Sequence, residues 1–365
     1  MLQGRASPEG TRRFAERSSA ARGHFREAAG LVLSSIGLGT YLGREDAETD
    51  AGYEECVALA LERGINVFDS AINYRGQKSE RAVGRALARA FGEKRIAREE
   101  VFVSTKGGYL PHDADDPRDP RRYILDTFVE TGIAPRSEIA QGGHCMAPGY
   151  LSDQIDRSRA NLGLATIDLY YLHNIEAQRA AADRPTFKSR LRAAAEVLER
   201  AAEEGRIAAW GLATWDGLRA PPEHPEHLSI AEAVAVAKEI AGARHHFRAV
   251  QLPLNLAMAQ AIAFPSQDAG PGRRPALAAA KEASLAAFGS ASLLQGRLTG
   301  DLPEEIEAAF PEARSNAQRA LQFARSAPGM TTSLVGVSRR AHGEDTFGLA
   351  SVPPAEAERV LALFE

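Results

Sequence analysis

From residue 34 to near the end of the chain, short apolar or β-branched runs alternate with stretches whose apolar residues recur at helical spacing. The short runs are SSIGLGT (34–40), INVFD (65–69), VFVSTK (101–106), IDLYYLH (167–173), RIAAWGLA (206–213), FRAVQL (247–252), SLAAFGS (284–290) and TTSLVGV (331–337). Each predicts a strand. Between them the spacing predicts helices over 51–63, where Cys56, Leu59 and Ala60 share a face before Gly64, and over 79–91, where Val83, Leu87 and Phe91 line up. Further helices are predicted over 151–162, 189–204, 229–241, 276–282 and 312–326. Repeated strand–helix units imply parallel strands, and eight suffice to close a cylinder. The expected fold class is therefore α/β, a (β/α)8 TIM barrel.

Two segments interrupt the alternation. Residues 107–150 are dense in Pro, Gly and Asp and too long for a plain connection, so they are expected to form a loop insertion after the third strand, a substrate lid over the mouth. Residues 1–28 carry Arg12-Arg13 with no apolar stretch behind it, so a twin-arginine signal is not expected. They are expected to be a poorly ordered N-terminal extension, with 29–365 as a single domain. No apolar run of about 18 residues is present to span a bilayer.

Composition narrows the partners. With 44 Lys+Arg against 48 Asp+Glu and a net charge of −4, there is no basic field to neutralise phosphates, so nucleic acid is not an expected partner. A small molecule is. The two cysteines, Cys56 and Cys145, make neither a disulfide framework nor a cysteine-rich metal site, which fits a cytoplasmic address.

Strand ends carry the candidate chemistry. Asp69, Lys106, His173 and Gln251 each close or nearly close a predicted strand, and in a βα barrel those ends share one mouth. Tyr74 follows Asp69 closely. A tyrosine has an ordinary pKa near 10, so as a general acid it gains from an ammonium that stabilises its anion. A desolvated lysine stays charged beside a carboxylate, and a histidine directs a hydrogen bond to a carbonyl oxygen. Together these groups suit protonation of a carbonyl as hydride arrives.

GINVFDSAINYRGQKSERAVGRAL (64–87), VFVSTK (101–106) and LSDQIDRSRANLGLATIDLYYLH (151–173) together resemble the aldo-keto reductase family, in the family's order. The resemblance implies a (β/α)8 barrel that binds NADPH in preference to NADH and transfers hydride to an aldehyde, ketone or sugar-like carbonyl. Tyr74 would be proton donor, Lys106 its pKa-lowering neighbour, Asp69 the partner of Lys106, and His173 the carbonyl-orienting group. It also implies cofactor contacts at Gly39, Thr40, Tyr41, Thr214, Gln251 and Ser290, at Gly296 and Leu298 in the loop LLQGRLTG (293–300), and at Ser338 and Arg339 for a 2′-phosphate. Two places depart from the family's pattern. Ala213-Thr214 stands where Ser-Asn is usual, and Phe288-Gly289-Ser290-Ala291-Ser292 where an aromatic over nicotinamide precedes Ser-Pro-Leu.

Tyr41, His144 and Trp215 are the candidate substrate contacts, while Trp210 reads as packing. Adjacent His245 and His246 point apart, and no metal is expected. Two rival functions remain open at this level: a Schiff-base barrel aldolase using Lys106, and a cofactor-binding regulatory protein with vestigial activity.

Overall fold

A computed structural model describes residues 1–270 and 272–364. Strands β1 (Ile36–Gly39), β2 (Val67–Asp69), β3 (Phe102–Gly107), β4 (Leu169–His173), β5 (Trp210–Ala213), β6 (Phe247–Pro253), β7 (Ala286–Ser290) and β8 (Thr332–Gly336) pair in parallel, in chain order, into a closed barrel. Register Ser333↔Ile36 through Gly336↔Gly39 joins β8 to β1. The outer layer is α1 (Ala47–Glu62), α2 (Lys78–Gly92), α3 (Pro148–Leu162), α4 (Arg184–Glu203), α5 (Ile230–Ala241), α6 (Ala276–Glu282), α7 (Asn316–Ser326) and α8 (Arg340–Gly348). The eight strands and the first seven helices lie where the apolar pattern puts them. α8 falls in a stretch that reads from sequence as a phosphate-binding segment.

Local signals set the helix ends. Asp46 accepts the Thr49 amide at 2.9 Å at the start of α1, Ser315 accepts that of Gln318 at 3.1 Å at the start of α7, and Gly163 ends α3 in the left-handed region at φ 67°. The period-two alternation of the strands sorts their side chains. Phe68, Val103, Tyr170, Leu172 and Val250 face the helices, whereas Val67, Phe102, Leu169, Tyr171 and Ala249 fill the barrel's interior. Continuing the same alternation upward turns Asp69, Ser104, Lys106, His173 and Gln251 inward at the mouth.

Residues 1–28 carry regular structure of their own. Pro8–Arg17 is a helix capped by Ser7, and Phe25–Ala28 pairs with Leu31–Ser34 as a hairpin. Ala6 and Leu33 join the interior cluster, Phe14 packs into the layer between strands and helices, and the Ala6 amide donates to Asp168 at 2.6 Å. The segment has few apolar residues, but Leu2, Ala6, Phe14, Phe25 and Ala28 pack against the barrel's core clusters. That contact orders it.

The insertion packs as a compact flap. Tyr123, Phe128, Ala134, Cys145, Ala147 and Tyr150 form a small core of their own, and Arg81 on α2 grips Asp113 and Asp115 at 2.7 and 2.6 Å. Of the segment 107–150, only Tyr109 lines the central cavity described below. No described helix is long and apolar enough to cross a membrane.

Candidate active site

Lys106 ends the inward-facing row of β3 and is 1% exposed. Its ammonium donates to Asp69 Oδ2 at 2.5 Å, to the Ser70 carbonyl at 2.8 Å and to Tyr74 Oη at 3.3 Å, so each of its three protons has an acceptor. The other oxygen of Asp69 accepts from Ser104 Oγ at 2.7 Å and Gln251 Nε2 at 3.0 Å. Thr40 braces the same turn by donating to the Asp69 carbonyl at 3.1 Å. Tyr74 is presented by a tight bend in which Arg75, Gly76 and Gln77 all have positive φ. Gly76 is required there, because a Cβ would lie 2.7 Å from Ala114 Cβ and 2.8 Å from His112 Nε2.

The Tyr74 ring meets Tyr41 edge-on at 5.0 Å and His173 at 5.8 Å. His173 is 7% exposed, and its Nδ1 has no partner among the described residues. Burial, the Lys106 ammonium and His144 together push the His173 pKa well below the usual imidazole value, which keeps the ring neutral. Burial raises the Tyr74 phenol above its ordinary value; Lys106 opposes this without reversing it. Lys106 is depressed by burial, but Asp69 and Tyr74 more than compensate, so its pKa is raised. At neutral pH the site thus holds a neutral phenol, a charged ammonium and a neutral imidazole.

These groups open into a cavity of about 920 Å³ running from Tyr41, Tyr109 and Trp215 to Arg339 and His342. Gly39, Thr40, Tyr41, Thr214, Trp215, Gln251, Ser290, Gly296, Ser338 and Arg339 all line it. Leu298 does not, and its amide closes a turn onto the Leu293 carbonyl at 3.2 Å. The Gly296 amide is likewise spent on Leu293, at 2.9 Å. His144 is also displaced from its expected role: it is 0% exposed, lies outside the cavity lining, and its Nε2 contacts the His173 carbonyl at 2.7 Å. It anchors the insertion instead. Phe288 stacks on Phe102 at 5.6 Å inside the barrel, which leaves Ser290 as the β7 side chain at the mouth.

Sequence reasoning passed over Asn73, Tyr109 and Asn174, which also line the cavity. Asn174 has φ 48° and donates to Tyr109 Oη at 3.3 Å. A polar residue directly after a strand-end histidine was the available signal. His246 pairs with Glu199 at 2.7 Å, and the same carboxylate accepts from Trp210 Nε1 at 2.7 Å, so both are packing groups.

A cofactor has polar atoms to meet here. Thr214 and Ser292 line the cavity, and their buried hydroxyl oxygens lack partners among the described residues. Arg339 is exposed at the far end, with no ion pair among the described residues. Gly52 on α1 allows that end to close, since a Cβ there would sit 2.0 Å from the Ser338 carbonyl oxygen.

A closed (β/α)8 barrel with Asp, Tyr, Lys and His at its mouth defines a class, and comparison with known proteins identifies it. The profile described as "Aldo/keto reductase family" matches residues 35–220, more than half of the 365, and the chain belongs to that family. It is 26% identical over 190 residues to a 6-dehydroglucose reductase of Novosphingobium aromaticivorans, covering 51% of this chain and 49% of that protein. It is 37% identical over 79 residues to an NADP-dependent D-sorbitol-6-phosphate dehydrogenase of Malus domestica, covering 22% and 23%. The chain thus spans about half or less of the length of these curated relatives. In fold it is similar to an aldo/keto reductase from Klebsiella pneumoniae in complex with NADP and acetate, at TM-score 0.61, 17% identity and 95% of each chain. It is similar as well to the holo form of an aldo-keto reductase from Bacillus halodurans, at TM-score 0.61, 18% identity, 94% of this chain and 96% of that one.

Proposed function

We propose that the protein is an NADP(H)-dependent oxidoreductase acting on the carbonyl of an aldehyde, ketone or sugar-like compound, or on the corresponding alcohol. The observation that carries this reading is the chain Asp69–Lys106–Tyr74, which ends on a protonated phenol facing the cavity beside a neutral His173. When bound, NADPH supplies the hydride. Tyr74 gives its proton to the substrate oxygen, and Lys106 stabilises the phenolate left behind. Asp69 holds Lys106 charged, and His173 directs the oxygen toward Tyr74. Thr214, Gln251, Ser290 and Ser292 are the contacts for the nicotinamide end, and Ser338 and Arg339 for a 2′-phosphate.

The walls around Tyr74 combine aromatic faces (Tyr41, Tyr109, Trp215) with the amides of Asn73 and Asn174. Such a lining suits a hydroxylated substrate, and the relatives named for sugar-derived compounds support the same class. A Schiff-base role for Lys106 fits poorly, because the amine is charged, fully bonded and outside the cavity lining.

The test is NADPH oxidation with a panel of aldehydes, ketones and oxidised sugars. Tyr74→Phe should lower kcat by a factor of about 10² to 10⁴ while leaving NADPH binding intact. Equal rates in the two proteins would remove the mechanism, and tight NADPH binding without turnover by wild type would favour a regulatory protein.

A further inference from the structure

Glu176 lies three residues beyond His173, on the connection after β4, and is only 5% exposed. Its Oε1 accepts the backbone N–H of Trp215 at 2.5 Å and of Asp216 at 3.2 Å, while Oε2 is buried with no partner among the described residues. From the other side, Arg219, also 5% exposed, donates from Nε to the Trp215 carbonyl at 3.0 Å. The rest of its guanidinium is spent on Gln260 Oε1 and Asp216 Oδ1, both at 2.7 Å. The Trp215 residue is therefore held at its N–H by a buried carboxylate and at its C=O by a buried guanidinium. Trp215 as a whole remains 39% exposed and lines the cavity next to Thr214. The bend is pressed close to both neighbours: a Cβ on Gly217 would lie 2.6 Å from Leu228 Cδ1 and 3.3 Å from Glu176 Cβ.

We propose that Glu176 and Arg219 are positioning residues that clamp the Trp215 bend at the cavity mouth, and that the clamp sets how tightly substrate is held rather than the rate of the chemistry. A neutral acceptor would satisfy the same two amides without leaving a bare charged oxygen in the interior, so a cap alone does not account for a carboxylate. Burial pushes the Glu176 carboxyl up to about 7 against the pull of the backbone N–H groups around it. The charged or titratable groups that act on it are Arg219 on the bend and Tyr109 on the insertion, while Asp216 meets it through its backbone N–H. Protonation replaces charge-assisted bonds with bonds about half as strong, which loosens Trp215 as pH falls through neutrality.

Only the kinetic arm of the test rests on the reductase reading. In substrate-free protein, tryptophan emission should show a transition near pH 7 that is absent in Glu176→Gln and in Trp215→Phe. In the assay, substrate KM of wild type should rise about tenfold across the same transition with kcat within about twofold, the loss of a bond to a charged acceptor. Glu176→Gln should show a flat KM profile, and Arg219→Gln a raised KM at every pH. Emission that is flat in wild type, or a transition that persists in Glu176→Gln, would overturn the proposal. A protein that reduces no carbonyl fails the function above but leaves the emission test to decide the clamp.

Discussion

At the scale of single residues, the site depends on a buried ion pair whose halves cannot be removed separately. Lys106→Met leaves the Asp69 carboxylate buried without its cation, which should cost about 3–5 kcal/mol in chemical denaturation. Adding Asp69→Asn should recover most of that stability and none of the activity, because the phenol still lacks its ammonium. If the double variant regains turnover, Lys106 does not act through Tyr74. Since the Lys106 pKa is raised above its ordinary value of 10.5, the pair's contribution to stability is complete below that value and is lost on the alkaline side. The rate should follow the same logic. His173 stays neutral and Tyr74 stays protonated through neutrality, so kcat for reduction should be level from about pH 6 to 9 and fall only above about 10. A rate that already falls with rising pH on the acid side of neutrality would assign the proton to His173 instead.

On the function proposed above, elements rather than single residues set where the far end of the cofactor would lie. The connection from β8 to α8 runs against α1 at Gly52, and Arg339 at its tip has no competing carboxylate among the described residues. Gly52→Ala places a methyl inside contact distance of the Ser338 carbonyl and must push the connection outward. Both Gly52→Ala and Arg339→Ala should raise the Kd for NADPH about tenfold or more, with little change for NADH, the cost of losing a charge-assisted phosphate contact. Fluorescence titration with the two nucleotides checks this. Equal weakening for both nucleotides would move the 2′-phosphate site elsewhere. The loop 293–300 is less of a phosphate cradle than its glycines suggest, because the amides of Gly296 and Leu298 are consumed within it.

Across the whole molecule, stability and activity are separated along the barrel axis. The N-terminal helix and hairpin close the base through Ala6, Phe14 and Leu33, while Tyr74 and the cavity occupy the opposite end. Phe14→Ala should therefore cost about 3–5 kcal/mol and lower Tm, with kcat/KM unchanged at temperatures where the protein is folded. A loss of activity in the folded variant would couple the two ends. The insertion after β3 stands between these roles: its own small core keeps it together, and Tyr109 is the one residue of it that lines the cavity.

What was legible in the sequence has a common physical basis. Strand runs, their period of two and the polar residue closing each run are local properties, and a closed barrel leaves such residues a single destination, so the rim positions of Asp69, Lys106, His173 and Gln251 follow from the chain's own pattern. The bend that carries Tyr74 to Lys106 was legible only through its resemblance to a family. Contacts between segments distant in the chain were not legible. His144 anchors instead of lining the pocket, Leu298 turns away, Phe288 points into the barrel, and residues 1–28 fold because sparse apolar side chains find the barrel's base. Glu176 gave no sign at all, since a lone glutamate after a strand carries no local pattern. The chain's own periodicity thus determined the barrel and the rim positions of its reactive groups; burial and cross-chain hydrogen bonding, which exist only once the barrel has closed, decided which of the remaining side chains face the cavity.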